Sequence, residues 1–253
     1  MEHEGFTKYE EQGAYHWRNA YERGILRCSP RLHARYDIPI GMVAQHVCLQ
    51  GSYGADLGCG DGVMLYKIAE KGGSVVGVDK SEEGLGLARR KLAERGAGDH
   101  VETVCASCYE VPMENESLDY AVATELIEHL EDVSEFLNEV RRLLRPGGVF
   151  VCTTPNRREG QAHDEVRDPF HVHEFDPQEL EDCLYAQFAE VSVRGGYPRW
   201  LDRACVQGVG PSPVAKSVRV VIRALSRLWN PYEHLLSSNP SFDHSLLVGL
   251  ARK

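Results

Sequence analysis

The stretch Ser52–Gly62, SYGADLGCGDG, constrains this chain more than any other. A short run that can form a strand ends in glycines at alternate positions, Gly58, Gly60 and Gly62, and helical periodicity begins directly after them. Strand, glycine turn and helix in that order make the nucleotide-binding corner of a doubly wound α/β fold. The surroundings agree. From about residue 52 to 194, β-rich runs alternate with helical periodicity, as a parallel sheet with crossover helices requires.

SVVGVD (Ser74–Asp79) reads as a buried strand, and VETVC (Val101–Cys105), LDYAVAT (Leu118–Thr124) and VFVCTT (Val149–Thr154) read as the next strands. AEVSV and SLLVGLAR read as two closing strands, whereas SYGADL is small and polar and makes a weak first strand. Helices are predicted from Asp61 to Lys71, from a Ser81 cap through Leu92, from Asp132 to the stop at RPGG, and from Asp176. Asp176, Pro177 and Glu179 there form a capping box. Residues 1–50 read as a separate helical segment and 51–253 as the main domain, with an insertion at about 197–242.

With 42% hydrophobic and 26% charged residues, the 253-residue chain has enough apolar mass for a full core. No apolar run approaches the roughly 20 residues that span a bilayer. The acidic start, MEHEGFTKYEEQG, does not resemble a secretory signal. Eight irregularly spaced cysteines predict reduced thiols and a cytoplasmic location. Cys105 and Cys108 have half of a zinc spacing but lack a second pair.

The net charge of -10 argues against general nucleic-acid binding. Two basic series stand out against it. One is Arg18, Arg23, Arg27, Arg31 and Arg35; the other, Lys216, Arg219, Arg223 and Arg227, lies on an amphipathic helix predicted over Val214–Leu228. Each is a solvated helix face or a surface for an anionic substrate or a membrane.

Phosphate-binding glycine loops avoid carboxylates, yet Asp56 and Asp61 flank this one. The dinucleotide pattern G-x-G-x-x-G also fails, because its third glycine would fall on Val63. Asp56 favours a ligand with an ammonium or sulfonium. Asp79, ending the second strand, is placed to accept from both hydroxyls of a ribose. S-adenosylmethionine meets both demands.

ADLGCGDG, VVGVD and LLRPGGVFVCTTPN, in that order and spacing, resemble the class I S-adenosylmethionine-dependent methyltransferases. The nearest branch is that of the ubiquinone-biosynthesis O-methyltransferases and many sugar and small-molecule methyltransferases. The resemblance covers about Ala55 to Val193. It implies a Rossmann-like, doubly wound seven-stranded sheet with a reversed last strand, an N-terminal helical lid, and S-adenosylhomocysteine as product. It places Asp56 and Gly58 against the methionine half and Asp79 at the ribose, with Gly60, Asp61 and Lys80 also among the cofactor-binding residues. Ser107 and Cys108 stand where relatives carry an Asp-Ala contact to the adenine. Glu125 closes the pocket, and Arg35 is placed to reach the cofactor carboxylate. Tyr15–Trp17 lie in the lid or in the core.

The stretch ELIEHLED follows the fourth strand, where such a sheet presents its ligand crevice. In a helical turn Glu125, Glu128 and His129 would share a face. His129, backed by Glu128, could remove a hydroxyl proton, or the three could polarise that hydroxyl through a divalent metal. A third reading makes His129 a helix cap. DPFHVHEF places His171 and His173 on one side of an extended segment. The pattern also resembles metal-dependent 2′-O-methyltransferases of small-RNA ends, which would make Glu125, Glu128, His129 and His173 ligands. In the small-molecule branch His171 falls on the substrate side.

The expected activity is methyl transfer to a hydroxyl, or an amine, of a small metabolite, sugar or lipid-linked acceptor. The alternatives are a metal-dependent RNA-end methyltransferase and a non-catalytic S-adenosylmethionine-binding regulator.

Overall fold

A computed structural model describes residues 8–22, 30–162, 165–202 and 230–253. Its strands are β1 (Tyr53–Leu57), β2 (Ser74–Asp79), β3 (Val101–Cys105), β4 (Leu118–Thr124), β5 (Leu144–Pro155), β6 (Glu190–Pro198) and β7 (His244–Arg252). They form one seven-stranded sheet in the order β3-β2-β1-β4-β5-β7-β6. The pairs among β1 to β5 are parallel, and β7 runs antiparallel to both β5 and β6. This is the expected reversed last strand.

The helices are α1 (Lys8–Gln12), α2 (Tyr15–Trp17), α3 (Pro30–Ala44), α4 (Val63–Glu70), α5 (Glu82–Glu94), α6 (Val133–Leu143), α7 (Pro177–Tyr185), α8 (Arg199–Asp202) and α9 (Pro231–His234). Two cores sandwich the sheet. Trp17, α3, α4 and α5 pack against Tyr120, Val122, Val149 and Val151. On the other face α6 and α7 pack against Ala121, Ala123 and Phe150. Successive residues of β4 thus feed opposite cores, as the two-residue period demands.

Local chemistry sets the helix starts. The Ser81 hydroxyl accepts from Gly84 N–H at 3.1 Å and Asp132 accepts from Glu135 N–H at 2.8 Å, so each leads its helix as N-cap. At α7 the capping box is complete.

Two boundaries differ from expectation. α4 begins at Val63, not Asp61, because Gly60 and Gly62 have φ of +52° and +83°, outside the helical region. β5 begins at Leu144, in the expected helix and ahead of the expected RPGG stop. Leu144 pairs with Leu118, and register resumes at Val149 opposite Tyr120 after an irregularity that absorbs RPGG. The weak look of β1 has a cause: a Cβ on Gly54 would lie 2.2 Å from the buried Tyr120 ring, so that position must stay bare. The amphipathic helix expected over Val214–Leu228 lies outside the described residues, as do Arg23, Arg27 and the basic series around it.

Candidate active site

Loops at the C-terminal ends of β1 to β5 enclose a cavity of about 710 Å³, within the usual range for a small-molecule site. Asp56 enters it from β1. The residue is 2% exposed, and its Oδ2 has no hydrogen-bond partner among the described residues. Burial, with the charge of Asp79 added, holds its carboxyl well above the usual range. An orphaned buried carboxylate oxygen is costly, and an ammonium donor would relieve it. The methionine half of S-adenosylmethionine carries that donor, so the residues present fit this cofactor.

The glycine loop continues the wall. Gly60 donates its N–H to Asp79 Oδ2 at 2.8 Å, and a Cβ on it would strike the Tyr9 hydroxyl. Asp79 Oδ1 accepts from Ser81 N–H at 2.8 Å. Burial still raises the Asp79 carboxyl despite these bonds. Each carboxylate oxygen keeps a lone pair for a ribose hydroxyl. Lys80, Ser107 and Cys108 line the next part of the cavity. Ser107 Oγ accepts from Tyr109 N–H at 3.2 Å, leaving its hydroxyl hydrogen for a ligand. Burial pushes the Cys108 thiol up to about 11, so it stays neutral.

Asp61 also lines the cavity, but both carboxylate oxygens are committed to the N-terminal segment. His16 donates its N–H to Oδ2 at 3.0 Å, its Nδ1 lies 3.1 Å from Oδ1, and the Trp17 indole donates to the Asp61 carbonyl. Tyr9, Tyr15 and His16 thereby join the cavity wall, while Trp17 is fully buried against Tyr66. The segment serves pocket and core together.

Glu125 occupies a left-handed conformation at φ +53°, which costs a side-chain-bearing residue of order 1–3 kcal/mol. Its N–H donates to the Thr153 carbonyl at 3.0 Å, and its Oε2 lies 3.2 Å from Arg35 Nη2. The expected helical turn over Glu125–Leu130 is therefore shorter, a 3-10 turn over Ile127–His129. Glu128 is 1% exposed and its Oε2 accepts from the Thr154 hydroxyl at 3.0 Å. Burial first, then the neighbouring Glu125, drives its carboxyl well above the usual range.

His129 Nδ1 lies 2.8 Å from the Phe170 carbonyl. A carbonyl only accepts, so Nδ1 carries the hydrogen and Nε2 is the basic nitrogen. Burial, reinforced by His171, lowers the His129 pKa, which favours the neutral, proton-accepting form. The His171 ring stands 5.0 Å from that of His129. His171 Nδ1 is 3.1 Å from Glu174 Oε1. Burial would raise the Glu174 carboxyl, but bonds from Gln161 and Arg167 outweigh it and hold the group at about 2.

One ligand atom each from Glu128, His129 and His171 lies within 4.8 Å of the others. A carboxylate and two imidazoles suit zinc or another divalent transition metal. This set differs from the expected one. His173 Nε2 lies 3.7 Å from Glu179 Oε2 and its ring packs on Phe175. Its segment is a turn, not extended, with His171 N–H bonded back to the Asp168 carbonyl, so the two histidines diverge. Neither Cys105 nor Cys108 joins a metal-ligand group among the described residues. Sequence reasoning missed Glu174, whose signal is its place directly after His171-Val172-His173.

A family described as a methyltransferase domain matches residues 55–152. A probable S-adenosylmethionine-dependent methyltransferase of Mycolicibacterium smegmatis is 34% identical over 137 residues, 54% of this chain and 51% of its own length. A ubiquinone biosynthesis O-methyltransferase of Paraburkholderia phymatum is 29% identical over 73% of this chain and 79% of its own length. Among solved structures, phosphoethanolamine N-methyltransferase 2 of Haemonchus contortus, in complex with S-adenosyl-L-methionine, superposes with a TM-score of 0.67. At 19% identity it covers 98% of this chain and 58% of its own, a likeness of fold. The chain thus spans about half the length of the first of these relatives.

Proposed function

We propose that this chain is a class I S-adenosylmethionine-dependent methyltransferase, a reading supported by the methyltransferase-domain match over residues 55–152, and that it methylates a hydroxyl of a small or lipid-linked acceptor with His129 as general base. The observation that carries this reading is the His129 tautomer: Nδ1–H is committed to the Phe170 carbonyl and a basic Nε2 is left beside the cavity. S-adenosylmethionine supplies, when bound, a methyl already activated on sulfonium. Asp56 would hold its ammonium and Asp79 its ribose.

The chain's remaining work is positioning and proton removal, which together supply much of the rate in such a transfer. Nε2 of His129 takes the acceptor's hydroxyl proton, and the field of Glu125 and Asp168 steadies the imidazolium that results. The Arg35–Glu125 pair bounds the cavity beside them. Exposed Phe170 and Val172 line the same cavity and favour an acceptor with an apolar body. The Paraburkholderia relative, named for ubiquinone biosynthesis, supports a hydroxyl acceptor; the Haemonchus neighbour, named for phosphoethanolamine, keeps an amine as the second choice.

Radiolabelled methyl transfer from S-adenosylmethionine into fractionated cell extract tests the assignment. Label should enter the polar-metabolite or lipid fraction; label in no fraction would favour a binding protein without transfer. Against the accepting fraction, His129→Ala is expected to lower turnover by roughly 10²- to 10⁴-fold with cofactor affinity unchanged. A fully active variant would remove His129 from the mechanism.

A second reading rests on the convergence of Glu128, His129 and His171. A divalent metal held by these three would polarise the acceptor hydroxyl and favour the ionised form of Glu128 that burial opposes. Dialysis against a strong chelator should then abolish transfer, and added zinc or manganese should restore it. Full activity in protein shown by elemental analysis to be metal-free would sink this reading and leave His129 as the base.

A further inference from the structure

We propose that Glu174 is the positioning residue of this site: it fixes His171 with the hydrogen on Nδ1, so that Nε2 is the nitrogen offered to the cavity beside His129. The inference rests on the reading that the acceptor meets these two imidazoles.

Glu174 is 1% exposed and does not line the cavity. Its carboxylate is ringed by donors. Gln161 Nε2 donates to Oε2 at 2.8 Å, Arg167 Nε to Oε2 at 3.1 Å and Arg167 N–H to Oε1 at 3.1 Å. His171 Nδ1 completes the set at 3.1 Å from Oε1. A carboxylate so surrounded accepts at every position, which leaves the His171 hydrogen on Nδ1. A buried acid with four such contacts, yet none to the cavity, acts through the one partner that does line it, His171.

The same turn positions His129. Phe170 N–H donates to Asp168 Oδ1 at 3.0 Å, and the Phe170 carbonyl takes the His129 hydrogen. Val172 and His173 donate their N–H groups to the Glu128 carbonyl at 2.8 and 3.2 Å. Residues 167–174 are therefore braced on Glu174 at one side and on the Ile127–His129 turn at the other. One loop sets the tautomers of both histidines, so loosening it displaces both.

The test is the histidine side-chain nitrogen NMR spectrum of the full chain, with His171 assigned from His171→Gln. The wild type should show a single His171 tautomer protonated at Nδ1. In Glu174→Gln the neutral amide can turn either its oxygen or its nitrogen to the ring, so both tautomers should appear. Transfer of label to the accepting extract fraction should fall roughly ten- to a hundred-fold, through turnover and not KM, because misplaced reacting groups cost about this much. Affinity for S-adenosylmethionine should stay within about two-fold, since Glu174 lies outside the cavity. A wild-type His171 protonated at Nε2 would overturn the proposal, as would a Glu174→Gln spectrum and turnover identical to wild type. Should the variant not fold, the wild-type spectrum still decides. Should no fraction accept label, the transferase reading fails while the spectrum judges Glu174 independently.

Discussion

Asp79→Ala is expected to weaken S-adenosylmethionine binding by at least two orders of magnitude. Two ribose hydroxyls would lose a charged acceptor, at about 1.5–3 kcal/mol for each bond, or roughly 10²- to 10⁴-fold together. The loop would suffer as well, because Gly60 and Ser81 both donate their N–H groups to this carboxylate. Asp79→Asn separates the two contributions. Its single oxygen can hold only one of the backbone donors and removes the charge, so affinity should fall by about tenfold or more while the protein stays folded. Unchanged affinity in the alanine variant, by calorimetry, would remove the ribose from Asp79 and overturn the assigned pocket.

Asp56→Asn should move two properties in opposite directions. Without cofactor the variant is expected to be the more stable protein near neutral pH. The Asp56 carboxyl is raised in the folded state by burial and by Asp79. A raised acid penalises folding at any pH where the unfolded chain would be ionised, above about 3.9, and the penalty grows up to the folded pKa. Below that window the protonated side chain costs nothing, and wild type and variant should unfold alike. Relief of one buried, unpaired polar group is worth about 1–3 kcal/mol, or roughly 2–10 °C in midpoint for a chain of this size. With cofactor the order should reverse, because an amide binds an ammonium less well than a carboxylate does. Affinity should drop about ten- to a hundred-fold. A variant that melts lower than wild type at neutral pH without cofactor would mean that Asp56 already has a cationic partner.

The same residues separate what the sequence makes legible from what it hides. Strands β2 and β4 begin and end where their apolar runs do, because each is buried between two layers, and the partly exposed edge strand β3 is as legible because turn residues bound its short run. β1 reads poorly, since the demand for a bare Gly54 comes from Tyr120, a residue on another strand. RPGG misleads for a related reason: the strong local turn signal is absorbed as an irregularity inside β5, whose pairing with β4 and β7 overrides it.

In the site, the glycine loop and Asp79 are legible because each sits at the end of its own strand, and their geometry follows from the fold. The companions of the catalytic candidates are not. Asp61 looks like a ligand for the cofactor, and only the folded chain brings His16 to both of its oxygens. The segment after β5 has no periodicity to read. Whether His171 or His173 meets His129 depends on a turn closed at Asp168, and on a buried glutamate whose donors come from Gln161 and Arg167. Sequence spacing treats the two histidines as equivalent, whereas hydrogen bonding parts them.

The most direct measurement is a calorimetric titration of the wild-type protein with S-adenosylmethionine. One molecule should bind per chain, at a dissociation constant in the roughly 1 μM to 1 mM range typical of enzyme substrates. S-adenosylhomocysteine should compete for it, and Asp56 and Asp79 variants should weaken it in the order given above. No saturable binding up to about 1 mM, in protein shown to be folded, would contradict the pocket and every role assigned around it.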